Sequence, residues 1–251
     1  MTHRLIHITL LLALVLTTGC SSSRMETKPN PASYHYQMGL SYLGERNYTS
    51  ALVELTEAEK LDPENPELLY NLGMAFLGKK RFDLAEQKLL RAVMLKPNYS
   101  TARNDLGVVY LEMKRWDNAI QQFKIVKSDI FYANSENAAI NLGLSYLGKG
   151  DYPNALEELR AVVVSSPRNP VARLTLGRIW FAMDKVEQAI AEYRKALEIY
   201  KEYGAAHYYL GLALLKLNNT EAAKKAFKEA VRIIPDSELG HSSLAYLELL
   251  K

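Results

Sequence analysis

Six glycines set the length of everything this chain can build. Gly39, Gly73 and Gly107 stand 34 residues apart, as do Gly143, Gly177 and Gly211, while the step from Gly107 to Gly143 is 36. A fixed period of this length marks a solenoid, in which one unit is too small to bury its own apolar face and must stack on its neighbours. Other positions keep the same beat. Leu or Met precedes each glycine (Met38, Leu72, Leu106, Leu142, Leu176, Leu210), and a bulky residue follows it by three (Tyr42, Phe76, Tyr110, Tyr146, Trp180, Leu214). Twelve residues after each glycine stands Ala51, Ala85, Ala119, Ala155, Ala189 or Ala223, and four further on Leu55, Leu89, Phe123, Leu159, Tyr193 or Phe227.

Within a unit the apolar residues recur at helical spacing, which predicts two amphipathic helices separated by short turns such as GERNY, GKKRF and GKGDY. The recurrent Gly and Ala are small so that helices can approach closely, and the large residues fill the adjoining holes. Pro63, Pro97, Pro167 and Pro235 close four of the units, with Phe131 and Lys201 at the equivalent places in the other two. Residues 236–251 keep the phase for one more helix, Ala245 lying 34 after Gly211, and should cap the open end of the stack. Thirteen helices are expected and no strand. The two extra residues fall in KSDIFYANSENAAINLGL (Lys127 to Leu144), where they should lengthen the third connection and leave Phe131 and Tyr132 to plug the junction.

This pattern resembles the tetratricopeptide repeat, in six copies over about residues 32–237. The resemblance implies an all-α, right-handed superhelical solenoid of helix-turn-helix repeats plus a C-terminal capping helix, over residues 32–251. It also implies that the first helices line a concave groove, with the residues three before and one after each glycine pointing inward. Those are Tyr36, Leu40, Tyr70, Met74, Asn104, Val108, Ile140, Leu144, Leu174, Arg178, Tyr208 and Leu212, with Leu43, Leu77, Leu111, Leu147, Phe181 and Leu215 beside them. This surface is apolar and lacks the Lys, Asn and Arg set with which related domains clamp a peptide's C-terminal carboxylate. Its expected partner is an apolar segment, helix or strand, of another protein. Part of the stripe also packs against the next unit.

The N-terminus carries separate information. A basic start (Arg4), an apolar run from Leu5 to Leu16 and a small-residue stretch before Cys20 read as a secretory signal over residues 1–19, too short to span a bilayer comfortably. LTTGC resembles a bacterial lipobox, which implies lipidation of Cys20, and Ser21 in place of Asp implies sorting to the outer membrane. Cys20 is the single cysteine, so no intramolecular disulfide can form. Residues 20–31 are polar with two prolines and should form a tether.

No chemistry is expected. Basic residues number 31 against 28 acidic with no long run of one sign, which gives no reason for nucleic-acid binding. His35, His207 and His241 all stand four residues before the small residue of their unit, a packing position, and nothing marks a catalytic site, metal, cofactor or small-molecule substrate. The lipobox, tether and repeats together resemble the type IV pilus biogenesis lipoproteins, the pilotin family that includes PilF, PilW and Tgl. That family's D-x-x-Y followed by N-L-G-L is matched by Asp129, Tyr132 and Asn141-Leu142-Gly143-Leu144, with Ala133 where Pro is common. The resemblance implies a non-enzymatic protein that helps the pilus secretin subunit reach and multimerise in the outer membrane. A general envelope scaffold using the same groove is the alternative.

Overall fold

The computed structural model describes residues 30–251; the signal segment and Cys20 lie outside the described residues. Thirteen helices follow one another: α1 (Pro31–Gly44), α2 (Tyr48–Leu61), α3 (Pro66–Gly78), α4 (Phe82–Leu95), α5 (Ser100–Glu112), α6 (Trp116–Ser128), α7 (Ser135–Lys149), α8 (Tyr152–Ser165), α9 (Pro170–Ala182), α10 (Val186–Ile199), α11 (Gly204–Lys216), α12 (Thr220–Ile233) and α13 (Glu238–Leu249). Odd-numbered helices from α1 to α11 open the six units, even-numbered helices close them, and α13 is the cap. Among the described residues there is no strand. The fold is the expected all-α solenoid.

The glycine of each unit meets the large residue sixteen positions later. A Cβ placed on any of the six glycines would lie 1.9–2.7 Å from the Leu, Phe or Tyr side chain that packs on it. Those six side chains, and the six alanines four residues before them, have no exposed surface. Each unit is thus closed by one knob, from Leu55 to Phe227, seated over the backbone of the preceding helix. Ala245 keeps the phase of the glycines yet is exposed, with no second helix packed on it among the described residues. Gly240 and Ser243 are the buried small residues of the cap instead.

The turn inside each unit is also repeated. The residue seven after each glycine is left-handed: Arg46, Lys80, Lys114, Asp184 and Asn218 at φ 56–62°, and Gly150 at φ 83°. Asn47, Asp151 and Asn219, one residue on, then cap the second helix by accepting from the backbone N–H of Ser50, Asn154 and Ala222.

Four residues join α2 to α3, as at every other unit boundary, but six (129–134) join α6 to α7. The slip in the repeat is therefore a longer connection, as expected. Its side chains are placed differently from expectation. Phe131 is 89% exposed and Ile130 87%, so Phe131 plugs nothing. The cause is Asp129, whose carboxylate accepts hydrogen bonds from Ser100 Oγ and, at 3.0 Å, from the Phe131 N–H. Those two donors, Ser100 first, hold the carboxyl below the usual range. This Asx turn aims residues 130 and 131 outward, and only Tyr132 turns back to half-burial.

Three outcomes check this packing in urea unfolding. Ala119→Leu should cost about 1–3 kcal/mol by overpacking a site with no free space. Gly150→Ala, whose Cβ would meet nothing within 4 Å, should cost about 1 kcal/mol from the left-handed backbone alone. Phe131→Ser should change stability by less than about 0.5 kcal/mol.

Candidate functional site: the concave groove and its clefts

First helices of consecutive units touch one another along the whole stack (α1 on α3, α3 on α5, and so on to α13), whereas no two second helices do among the described residues. A stack that is close on one side and splayed on the other is concave on the close side. The odd-numbered helices are therefore the groove wall.

Of the twelve groove positions named from sequence, ten are half-buried. The other two, Ile140 and Leu174, are only 2% and 6% exposed and belong to the packing between units. Leu43, Leu77, Leu111, Leu147, Phe181 and Leu215 are all half-buried.

The wall is pitted by two clefts of the same design. One, of about 540 Å³ between the first and second units, is lined by Leu43, Arg46, Tyr48, Tyr70, Asn71, Met74, Leu77 and two glycines, Gly44 and Gly78. The other, of about 330 Å³ between the third and fourth units, is lined by Leu111, Glu112, Lys114, Trp116, Leu144, Leu147, Gly148 and Arg178. Their equivalence is positional. Tyr48 and Trp116 open the second helices of their units, and each lies against a glycine of the next unit. A Cβ on Gly78 would meet Tyr48 at 2.4 Å, and one on Gly148 would meet Trp116 at 2.7 Å. Sequence reasoning missed both aromatic floors. The signal was a second glycine five residues after the first, present in units one, two and four, combined with an aromatic nine residues after the first glycine in units one to four.

The N-terminal half of the groove also carries a polar ladder. Asn71 Nδ2 donates to Tyr36 Oη at 3.0 Å, and Tyr70 Oη donates to Asp105 Oδ2 at 3.0 Å, each bond linking first helices of consecutive units. Asn104 Nδ2 donates to the other Asp105 oxygen at 3.1 Å. Burial pushes the Asp105 carboxyl above the ordinary carboxylate range, against the lowering effect of the hydrogen bonds from Asn104 and Tyr70. Burial likewise raises the Tyr70 hydroxyl, with the neighbouring Asp105 charge adding to it. Tyr99, tilted against Tyr70 at 5.3 Å between ring centroids, is pushed up to about 12, burial first. Tyr36 and Tyr70 thus serve the stack as well as the groove surface.

Two of the three histidines have local partners; His207 Nε2 lies 3.0 Å from the Lys201 carbonyl oxygen. His35 Nδ1 lies 2.7 Å from Glu54 Oε2, nineteen residues on. Arg103 and Arg173 make the same cross-helix clasp with Gln122 and Glu192 at the same separation. Among the described residues no three His, Cys, Asp or Glu side chains gather as a metal site. The arrangement offers apolar clefts, aromatic rings and a few fixed dipoles, which is equipment for holding a polypeptide segment.

Comparison with known proteins agrees. A family model described as "Tetratricopeptide repeat" matches residues 36–100 and 140–203, and a second model of the same description matches 181–247. The chain belongs to the tetratricopeptide repeat family. Such repeats mediate protein–protein interactions. Among curated relatives, DnaJ homolog subfamily C member 3 of Bos taurus is 28% identical over 120 residues, 45% of this chain and 24% of that protein. The CTR9 homolog of Arabidopsis thaliana is 26% identical over 111 residues, 44% of this chain and 10% of that one. The chain spans about a quarter or less of the length of these relatives. Among solved structures, this repeat solenoid resembles PilW, a widely conserved type IV pilus biogenesis factor, at TM-score 0.73 and 19% identity, over 86% of this chain and 99% of that one. Pseudomonas aeruginosa PilF matches at TM-score 0.65 and 20% identity, over 86% and 97%. A tetratricopeptide repeat protein of Parabacteroides merdae matches at 0.77 and 16%, over 89% and 86%.

Asp105 supplies a pH test of the ladder. Its folded pKa is raised, so its contribution favours folding below the unfolded carboxylate value and is lost as pH rises through the folded one. Asparagine does not ionise there. The stability of Asp105→Asn relative to the parent chain should therefore increase from about pH 4 toward neutrality and then level off, measured as paired urea midpoints across that range.

Proposed function

We propose that this chain is an outer-membrane lipoprotein, anchored through Cys20, whose groove binds an apolar segment of the type IV pilus secretin subunit and promotes its localisation and multimerisation. The observation that carries the reading is the match to PilW along 99% of that chain's length. It is joined by the lipobox-like LTTGC and by Asp129 and Tyr132 at the D-x-x-Y spacing. The physical sequence is simple. The lipid and tether would confine the solenoid to the membrane surface. The groove, engaging a secretin monomer, would raise its concentration there so that ring assembly becomes favoured. Apolar residues of the bound segment, seated in the clefts beside Met74 and Leu144, would also be shielded from aggregation.

The test is genetic and direct. Met74→Asp and Leu144→Asp place a charge in each cleft without touching the Tyr70–Asp105 bond. Both should reduce SDS-resistant secretin multimers in cells at least several-fold while circular dichroism of the purified variants stays unchanged, and Cys20→Ala should displace the multimers from the outer membrane. Undiminished multimers in both cleft variants would sink the groove mechanism. Crosslinking that recovers peptidoglycan or other envelope factors, with secretin untouched, would move the assignment to a general envelope scaffold.

A further inference from the structure

The two clefts are built alike, so the difference between them is informative. The first contains only neutral groups behind its rim residue Arg46. The second has a corresponding rim lysine, Lys114, and in addition receives Arg178, reaching in from the fifth unit. Arg178 is the one charged side chain among the twelve groove positions. Its guanidinium is half-buried and stacks over the ring of Tyr209 with its carbon 5.0 Å from the ring centroid. Among the described residues no carboxylate pairs with Arg178; on the same unit Glu192 pairs with Arg173 and Lys195, and Asp184 with Lys216. Glu112, on the cleft rim, is exposed and is not within ion-pairing distance.

The Tyr193 hydroxyl does not share this place. Tyr193 fills the knob position of the fifth unit, where the third and sixth units carry Phe123 and Phe227. It has no exposed surface and its ring stacks on Tyr209 at 6.1 Å between centroids, so its hydroxyl is closed to anything bound in the cleft. Arg178 is left with donors to give and no carboxylate to take them among the described residues.

We propose that the cleft between the third and fourth units, with Arg178, is a subsite for an acidic side chain (Asp or Glu) flanked by apolar residues on the bound segment. This rests on the groove reading above and sharpens it. The apolar neighbours sit on Leu111, Leu144 and Trp116, and the carboxylate meets Arg178 in a partly desolvated, aromatic-walled setting where a charge-assisted bond is strong. A single arginine behind one rim lysine, Lys114, and with no asparagine in the lining, suits one side-chain carboxylate within a continuous segment.

The probe is a random twelve-residue peptide library, displayed with its C-terminus fused so that no free terminal carboxylate is present, and selected on the full chain and on its Arg178→Gln and Tyr193→Phe variants. The chain should enrich apolar peptides carrying one Asp or Glu, Arg178→Gln should lose the acidic preference and keep the apolar one, and Tyr193→Phe, whose hydroxyl is closed to the cleft, should keep both. A selected peptide and its Glu→Gln form, titrated by fluorescence anisotropy, should differ about tenfold or more in affinity. Apolar enrichment without an acidic preference, or the same preference in Arg178→Gln, overturns the subsite while leaving the groove reading intact. A peptide that binds only when its terminal carboxylate is freed overturns the side-chain assignment. No enrichment of any peptide overturns the groove reading and the subsite with it. Thermal melts of the variants, expected to match the parent, separate lost recognition from lost folding.

Discussion

The contact between each unit's glycine and the large side chain sixteen residues later is the constraint from which the architecture follows. Removing one Cβ lets Leu55, Leu89, Phe123, Leu159, Tyr193 or Phe227 lie on bare backbone, with no room for a methyl group between them. That sets how closely the two helices of a unit pair and at which height along them. Six repetitions of one pairing, joined by near-identical turns, can only build a regular stack. Stability is then a sum of similar local interfaces, with the open end covered by a helix that buries Gly240 and Ser243 but leaves Ala245 to solvent.

From the same pairing comes the groove. Because first helices contact first helices while second helices do not, the first helices crowd onto the inner wall. Residues beside the buried Leu–Gly pair are thereby half-buried at the surface, apolar enough to pack and open enough to bind. The two clefts form where a second glycine, Gly78 or Gly148, allows an aromatic from the preceding unit to lie flat as a floor. Clefts thus arise from the packing rule where a unit repeats its glycine five residues on.

Nearly all of the fold was legible in the sequence, because a repeat states its packing six times and chance coincidence at six registers is negligible. Helix number, the knob residues, the capping helix and the longer third connection could all be read from spacing. The direction of Phe131 could not. Spacing identifies which residue is displaced, but the Asp129 hydrogen bonds decide which way the backbone turns, and these depend on Ser100 in the preceding unit boundary. The groove was legible as a list and not as a surface. Ile140 and Leu174 share the register of the others yet are covered, because register gives the face of a helix while the neighbouring unit decides how much of that face stays open. Polar cross-unit bonds such as Tyr70 to Asp105 were invisible for a related reason: they join residues 35 apart, one off the repeat, and so break its period.

The two halves of the groove differ chemically, and the difference bears on what it can hold. In the first half tyrosine hydroxyls are tied across units within the wall, Tyr36 accepting from Asn71 and Tyr70 donating to Asp105. In the second half the equivalent positions are Ile140 and Leu174, which cannot bridge units by hydrogen bonds and are buried instead, and the half-buried Tyr208. The one charged groove position there is Arg178, which has no carboxylate partner among the described residues. Buried or half-buried donors without acceptors weaken a fold. A segment that enters the groove apolar end first and brings a carboxylate to Arg178 would remove that deficit only in one orientation. The asymmetry therefore supplies what a uniformly apolar groove lacks, a direction and a register for its ligand.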